Sequence, residues 1–189
     1  MVAVQSPRYV PYDEFLRMET QSDERHEWVD GVVRAMTRGT PEHGRLGGRF
    51  LLRVFGSLLD ENCELFLSDT PIFIEAAQLH TYADVSIVCG PLVTRVVHDR
   101  NGKSIGEAVM NPTLIVEVLS DSTERYDRGS KFDAYKKLSS LKEYVLVSQN
   151  ERRIEVRSLR DGEWTTQIAG AGQSIHVHGR DVAVDAIYG

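Results

Sequence analysis

Thr113-Leu114-Ile115-Val116-Glu117-Val118-Leu119 is the stretch on which the fold turns. Its apolar residues occupy both alternating positions, so as a strand it is covered on both faces, the habit of a strand inside an α/β sheet. Glu117 breaks that pattern, because an ionised carboxylate there is expensive unless a cation or strong hydrogen bonds meet it. Outward from this run, short β-rich segments recur at residues 65–67, 72–74, 85–89, 144–147, 154–156 and 164–168, separated by turn signals. Val32, Val33, Ala35 and Met36 form an earlier strand-like run after the break at Asp30-Gly31. Residues 90–111 are polar and contain Asp99-Arg100-Asn101-Gly102-Lys103, which suits an exposed excursion between strands.

Helical signals lie between these runs. Residues 11–18 carry Phe15, Leu16 and Met18 among charged neighbours, and a further helical turn is expected near Ser22 and Asp23. Thr40-Pro41-Glu42 offers an N-cap, a first-turn proline and an acid at the positive helix end. Leu46, Phe50, Leu51, Val54, Phe55, Leu58 and Leu59 then recur at three- and four-residue spacing, one apolar face of a long helix. Residues 127–138 suit another helix, on which Arg128, Lys131 and Tyr135 share a face. The mixture predicts an α/β domain spanning residues 1–189, with helices packed on a largely central sheet.

Composition narrows the function. With 22 Lys+Arg against 28 Asp+Glu the chain carries a net charge of -6, which excludes a uniformly basic nucleic-acid binder. Any nucleic-acid contact must be local or metal-assisted. The first residues lack a charged region followed by an apolar core, and no apolar run approaches a bilayer's width, so a cytoplasmic protein without a membrane partner is expected. Cys63 and Cys89 are too few for a disulfide framework and are expected as reduced, buried thiols.

Asp84, at the start of Ala83-Asp84-Val85-Ser86-Ile87-Val88, sits where a strand normally avoids an acid. Taken singly, Asp84 fits a turn leading into a strand and Glu117 a buried ion pair. Together, on neighbouring strands, they make a hard-oxygen pair suited to Mg²⁺ or Mn²⁺. Lys131 would bring a cation near them.

Glu27-Trp28-Val29-Asp30-Gly31-Val32-Val33, Pro41-Glu42-His43, Ala83-Asp84-Val85, Glu117-Val118-Leu119-Ser120 with Thr123, Asp127 with Lys131 and Tyr135, and Glu143-Tyr144 resemble, in that order, the Uma-two restriction-endonuclease family of the PD-(D/E)XK nuclease superfamily. The resemblance covers most of the chain. It implies a restriction-endonuclease-like core, a mixed central β-sheet flanked by helices with additional C-terminal strands, and an endonuclease that cuts DNA phosphodiester bonds with Mg²⁺, Mn²⁺ being a substitute. Asp84 matches the first acid of the motif, with Ala83 in place of the usual proline, and Glu117 matches the second. The motif's lysine position holds Leu119, and Lys131 on the following helix is its substitute. Glu27 matches the family's N-terminal helix acid. His43 matches a histidine often seen in such sequences; it is a candidate for handling a proton or phosphate, as well as an ordinary surface histidine at a helix start. Double-strand cutting would suit a homodimer.

Two alternatives accompany this expectation: a nuclease-fold binding or regulatory module without turnover, which would bind DNA without metal, and an acidic metal-binding or assembly protein, which would retain no DNA at low salt. Other motifs carry less. Gly102-Lys103-Ser104 lacks the glycine five residues earlier that a phosphate loop needs, since that position is Val97. His176 and His178 could share a strand face, but no third ligand stands near them in sequence, so they read as exposed edge-strand histidines.

Overall fold

The computed structural model describes residues 8–37, 39–55 and 62–189. A helix, α1 (Tyr12–Glu19), is followed by strands β1 (His26–Val29) and β2 (Val32–Ala35), then by the long helix α2 (Pro41–Phe55). The middle of the chain is β3 (Cys63–Leu67), β4 (Pro71–Ile74), β5 (Leu79–Tyr82), β6 (Val85–Cys89), β7 (Thr94–His98), β8 (Ser104–Val109) and β9 (Leu114–Leu119). Two short helices, α3 (Glu124–Tyr126) and α4 (Phe132–Tyr135), lead to β10 (Glu143–Ser148), β11 (Arg153–Arg160), β12 (Glu163–Gly170), β13 (Ser174–Val177), β14 (Arg180–Ala183) and α5 (Val184–Tyr188).

The helical turn expected near Ser22 and Asp23 is absent. The chain bends there and enters β1, because Asp30-Gly31 is a hairpin turn rather than a helix stop. Both residues have positive φ, 45° and 85°, as a two-residue turn of matching twist requires. A Cβ at Gly31 would fall 2.1 Å from the Tyr9 ring, so no larger residue fits without displacing it.

The strands divide into two six-stranded sheets, one ordered β2-β1-β5-β4-β8-β7 and the other β12-β11-β10-β9-β6-β3, with β13 and β14 as a separate ribbon. The expected mixed sheet is the second of these: β9 and β10 run parallel, joined by the α3–α4 crossover, while the other pairs in it are antiparallel. The polar excursion at 90–111 is mostly the β7–β8 hairpin, and β8 joins the first sheet beside β4.

Each face of β9 feeds a different core. Val116 and Val118 pack with Leu46, Phe50, Val54 and Phe55 of α2, confirming the long helix's apolar face, and with Ile187 of α5. Leu58 and Leu59 lie outside the described residues. Ile115 and Leu119 pack on the other side with Phe132, Tyr135 and Tyr144. Burying each such side chain contributes about 1.5–3 kcal/mol. Glu117 shares the face of Ile115 and Leu119, so it is aimed at the α3–α4 segment and away from solvent.

Cys63 and Cys89 correct the expectation of reduced thiols. They stand opposite one another on antiparallel β3 and β6, with Cα atoms 4.0 Å apart, and are joined by a disulfide. Their 26-residue separation hides this, since only the strand register makes them neighbours. No helix among the described residues is long and apolar enough to cross a membrane.

The first sheet buries His80 at 2 % exposure among Phe15, Tyr12 and Tyr82. Its Nδ1 lies 3.0 Å from the Tyr12 hydroxyl, whereas Nε2 has no partner. Burial pushes its pKa down to about 3. The unfolded chain therefore binds a proton that the folded one refuses, and stability falls as pH drops from the ordinary histidine value toward 3. The ceiling on this loss is about 5 kcal/mol. His80→Phe, which keeps the aromatic packing, is expected to flatten the acid limb of stability measured by urea unfolding between pH 7 and pH 4. An unchanged limb would mean that His80 is not the group responsible.

Candidate active site

Strand register assembles the acids. β6 and β9 pair with Val85 opposite Val116 and Ile87 opposite Leu114, so one step further sets Asp84 opposite Glu117. The Val118 amide donates to Asp84 Oδ2 at 2.6 Å, fixing the Asp84 carboxylate beside the Glu117 backbone. In the first sheet Trp28 pairs with His80, which continues to Glu27 opposite Thr81, and the Thr81 hydroxyl donates a short hydrogen bond to Glu27. The chain crosses from one sheet to the other at Tyr82–Ala83, so Glu27 and Asp84 meet where the sheets join. Glu27 lies on β1, correcting its expected place on a helix.

The segment between α3 and α4 closes this junction. Asp127–Lys131 winds as a wide turn with a kink at Gly129, whose φ and ψ are -112° and -105°. Lys131, 4 % exposed, points inward: its Nζ lies 2.9 Å from Glu117 Oε1, 3.1 Å from the Tyr82 carbonyl, 3.6 Å from Glu27 and 3.7 Å from Asp127. Arg128 does not share that face. The kink turns it toward Glu124 and Glu155, so the expected cationic stripe reduces here to one buried ammonium. The Tyr135 hydroxyl also donates to Glu117 Oε1, at 3.0 Å.

His43 enters from the other side. Thr40 Oγ1 accepts from the His43 amide at 3.1 Å, the cap foreseen at the start of α2, and this places the imidazole over the junction. Its Nε2 lies 2.7 Å from Asp84 Oδ1, and Gln149 Nε2 donates to its Nδ1 at 3.3 Å. All five expected residues, Glu27, His43, Asp84, Glu117 and Lys131, thus converge. Asp127 joins them, and its spacing of four from Lys131 was a visible helical pairing signal. Thr81, Gln149 and Tyr126, whose hydroxyl bonds to Glu27, gave none, because lone residues in a short strand, a loop and a three-residue helix carry no period of their own.

Negative charge is in excess. Burial, reinforced by Asp127 and Asp84 and partly offset by Lys131, pushes Glu117 up to about 8. Burial likewise raises Asp127. For Lys131, burial opposes the charge, but Glu117, Glu27 and Asp127 outweigh it and hold the ammonium well above its ordinary value. The Asp84 hydrogen bond raises His43. Four carboxylates therefore face one lysine and a half-buried histidine. That imbalance, with oxygen donors on Asp84 and Glu117, fits a hard divalent cation, and Mg²⁺ characteristically takes only one or two protein carboxylates. A soft metal finds no thiolate here.

Two mixed sheets meeting at such a cluster, with a helical crossover over the second, define the class as mixed α/β. The same fold occurs in a solved structure described as a "putative nuclease belonging to DUF820" from Anabaena variabilis, with a TM-score of 0.69 at 14% identity, covering 95% of this chain and 97% of that one. The family model Uma2, described as "Putative restriction endonuclease", matches residues 12–180. Two Synechocystis proteins share the whole length: "Uncharacterized protein slr1290", 35% identical over 96% of this chain and 92% of its own, and "Uncharacterized protein sll1609", 28% identical over 93% and 96%. The chain belongs to the Uma2 family, as its ordered motifs imply.

Proposed function

We propose that the protein is a Mg²⁺-dependent endonuclease that hydrolyses phosphodiester bonds of DNA, with Asp84 and Glu117 as the residues that hold the ion. The observation that carries this is the carboxylate of Asp84 held by the Val118 amide at 2.6 Å, one residue from Glu117, with the Lys131 ammonium 2.9 Å from Glu117. Bound there, the ion would lower the pKa of a coordinated water and offset charge on the scissile phosphate. The protein's own groups do the rest. Lys131 opposes the burial that raises the Glu117 pKa, and presents positive charge toward the place where negative charge grows on the phosphoryl group. Because its Nζ already meets Glu117 and the Tyr82 carbonyl, it acts first as a fixed charge, and it reaches a water only by releasing one of these partners. His43 orients Asp84 through Oδ1 and offers a proton at the cleft side. Glu27, anchored by Thr81 and Tyr126, supports Lys131 from the rear.

The purified chain is expected to nick or linearise supercoiled DNA in Mg²⁺ or Mn²⁺ and to be silent with chelator. Intact supercoiled, linear and single-stranded DNA under all these conditions would remove the proposal. DNA retained without metal and without cleavage would instead identify a binding module. Cutting of both strands at one site would support action as a homodimer.

A further inference from the structure

His176 and His178, similar in sequence, part company in the fold. His176 is exposed and its Nδ1 lies 2.9 Å from Asp181. His178 sits half-buried in the β13–β14 turn, beside the disulfide. The ligands missing from the sequence around it are supplied by β3 and β6, one cysteine from each.

We propose that Cys63, Cys89 and His178 form a redox-gated zinc site, closed by the disulfide and opened when it is reduced. The two sulfurs and a ring nitrogen of His178 all lie within 4.8 Å of one another. Two sulfurs and a nitrogen around a tetrahedral zinc stand about 3.5–3.8 Å apart, given Zn–S near 2.3 Å and Zn–N near 2.0 Å. Small side-chain rotations therefore suffice. The histidine is also held in place beforehand. Its φ is 49°, a left-handed conformation in which Asn or Gly is the usual hairpin residue. Its amide donates to Glu143 Oε2 at 2.7 Å, and its ring meets Phe55 edge-on with centroids 6.1 Å apart. All three ligand residues are half-buried, so a small thiol and an ion can reach them.

The chemistry balances. Two molecules of a small-molecule thiol supply two electrons and two protons, becoming one disulfide while the Cys63–Cys89 bond becomes two thiols. Zinc then displaces the two thiol protons, forms two bonds to sulfur and one to the imidazole, and leaves its fourth position to solvent. Two thiolates neutralise the ion, and soft sulfur selects zinc over magnesium. Asp84 and Cys89 stand at opposite ends of β6, about 17 Å apart at the rise of an extended strand, so this site is separate from the acid cluster.

The test uses the full chain, reduced with a phosphine that is then removed, and Co²⁺ as the probe in excess Mg²⁺. Reduced protein is expected to bind one equivalent of Co²⁺ with thiolate-to-metal charge-transfer absorption and tetrahedral ligand-field bands, all displaced by Zn²⁺. Oxidised protein and the Cys63→Ser/Cys89→Ser variant should show neither. His178→Asn, which keeps a residue suited to the turn, should weaken Co²⁺ binding by about tenfold or more, since even the outer partners of metal ligands are worth that much. Absence of the charge-transfer band in the reduced protein, whether or not it stays folded by circular dichroism, overturns the proposal. So does Co²⁺ affinity unchanged in His178→Asn.

Discussion

Asp84→Asn is expected to lower Mg²⁺-dependent DNA cleavage by about 10³-fold or more, a loss of about 4 kcal/mol of transition-state stabilisation. It should leave the fold intact. The replacement is isosteric, and its amide oxygen can still accept from the Val118 amide that now binds Asp84 Oδ2 at 2.6 Å. Its amide nitrogen then faces His43 Nε2, which accepts once the imidazole proton moves to Nδ1, at the expense of the 3.3 Å contact that Gln149 now makes there. Removing one of the clustered acids also relieves Glu117, whose pKa Asp84 helps to raise. The variant should therefore unfold in urea within about 1 kcal/mol of the parent, an ordinary cost for one exchanged hydrogen bond. Its Mn²⁺ affinity by calorimetry should fall together with its single-turnover cleavage rate. A variant that cuts DNA like the parent would take Asp84 out of the chemistry.

What the sequence made legible depended on period and on chemistry out of place. Strand β9 announced itself because it is apolar on both faces, and Glu117 because it interrupts that pattern. The apolar face of α2 and its Thr40 cap followed from helical spacing. Strands β1, β5, β7, β8 and β14 did not announce themselves: they are short or polar on one side, and hairpin partners rather than their own residues fix them. The same limit hid the Cys63–Cys89 bond, the nearness of His178 and the pairing of Glu27 with Thr81, each of which is a matter of register between distant segments. The kink at Gly129 is another case. Ideal helical spacing puts Arg128 and Lys131 on one face, and only the non-helical backbone at Gly129 sends them apart.

Lys131→Met should be the most destabilising single change in the site. The ammonium is 4 % exposed, and its removal leaves Glu117, Glu27 and Asp127, none more than 6 % exposed, without their cation. Breaking a buried ion pair from one side costs about 3–5 kcal/mol. The loss should depend on pH in a definite direction. Glu117 already titrates at about 8 in the folded protein against an ordinary 4.5, with Lys131 acting to lower it. Without Lys131 its folded pKa moves higher still. A carboxyl raised on folding binds more protons in the native than in the unfolded chain, so stability is full below the unfolded value and drains as pH climbs toward the folded one. The parent shows this drain only up to about pH 8, whereas in the variant it continues beyond, so the gap between the two should widen as pH rises past 8. Adding Glu117→Gln removes the stranded charge and should recover about half of the deficit, a coupling readable in a double-mutant cycle. Mg²⁺ should stabilise the Lys131→Met protein more than the parent, because a cation bound only by the folded state replaces the missing charge. If Lys131→Met is as stable as the parent across this pH range, the ammonium does not hold the acids together, and its place in the site must be explained by something other than its charge.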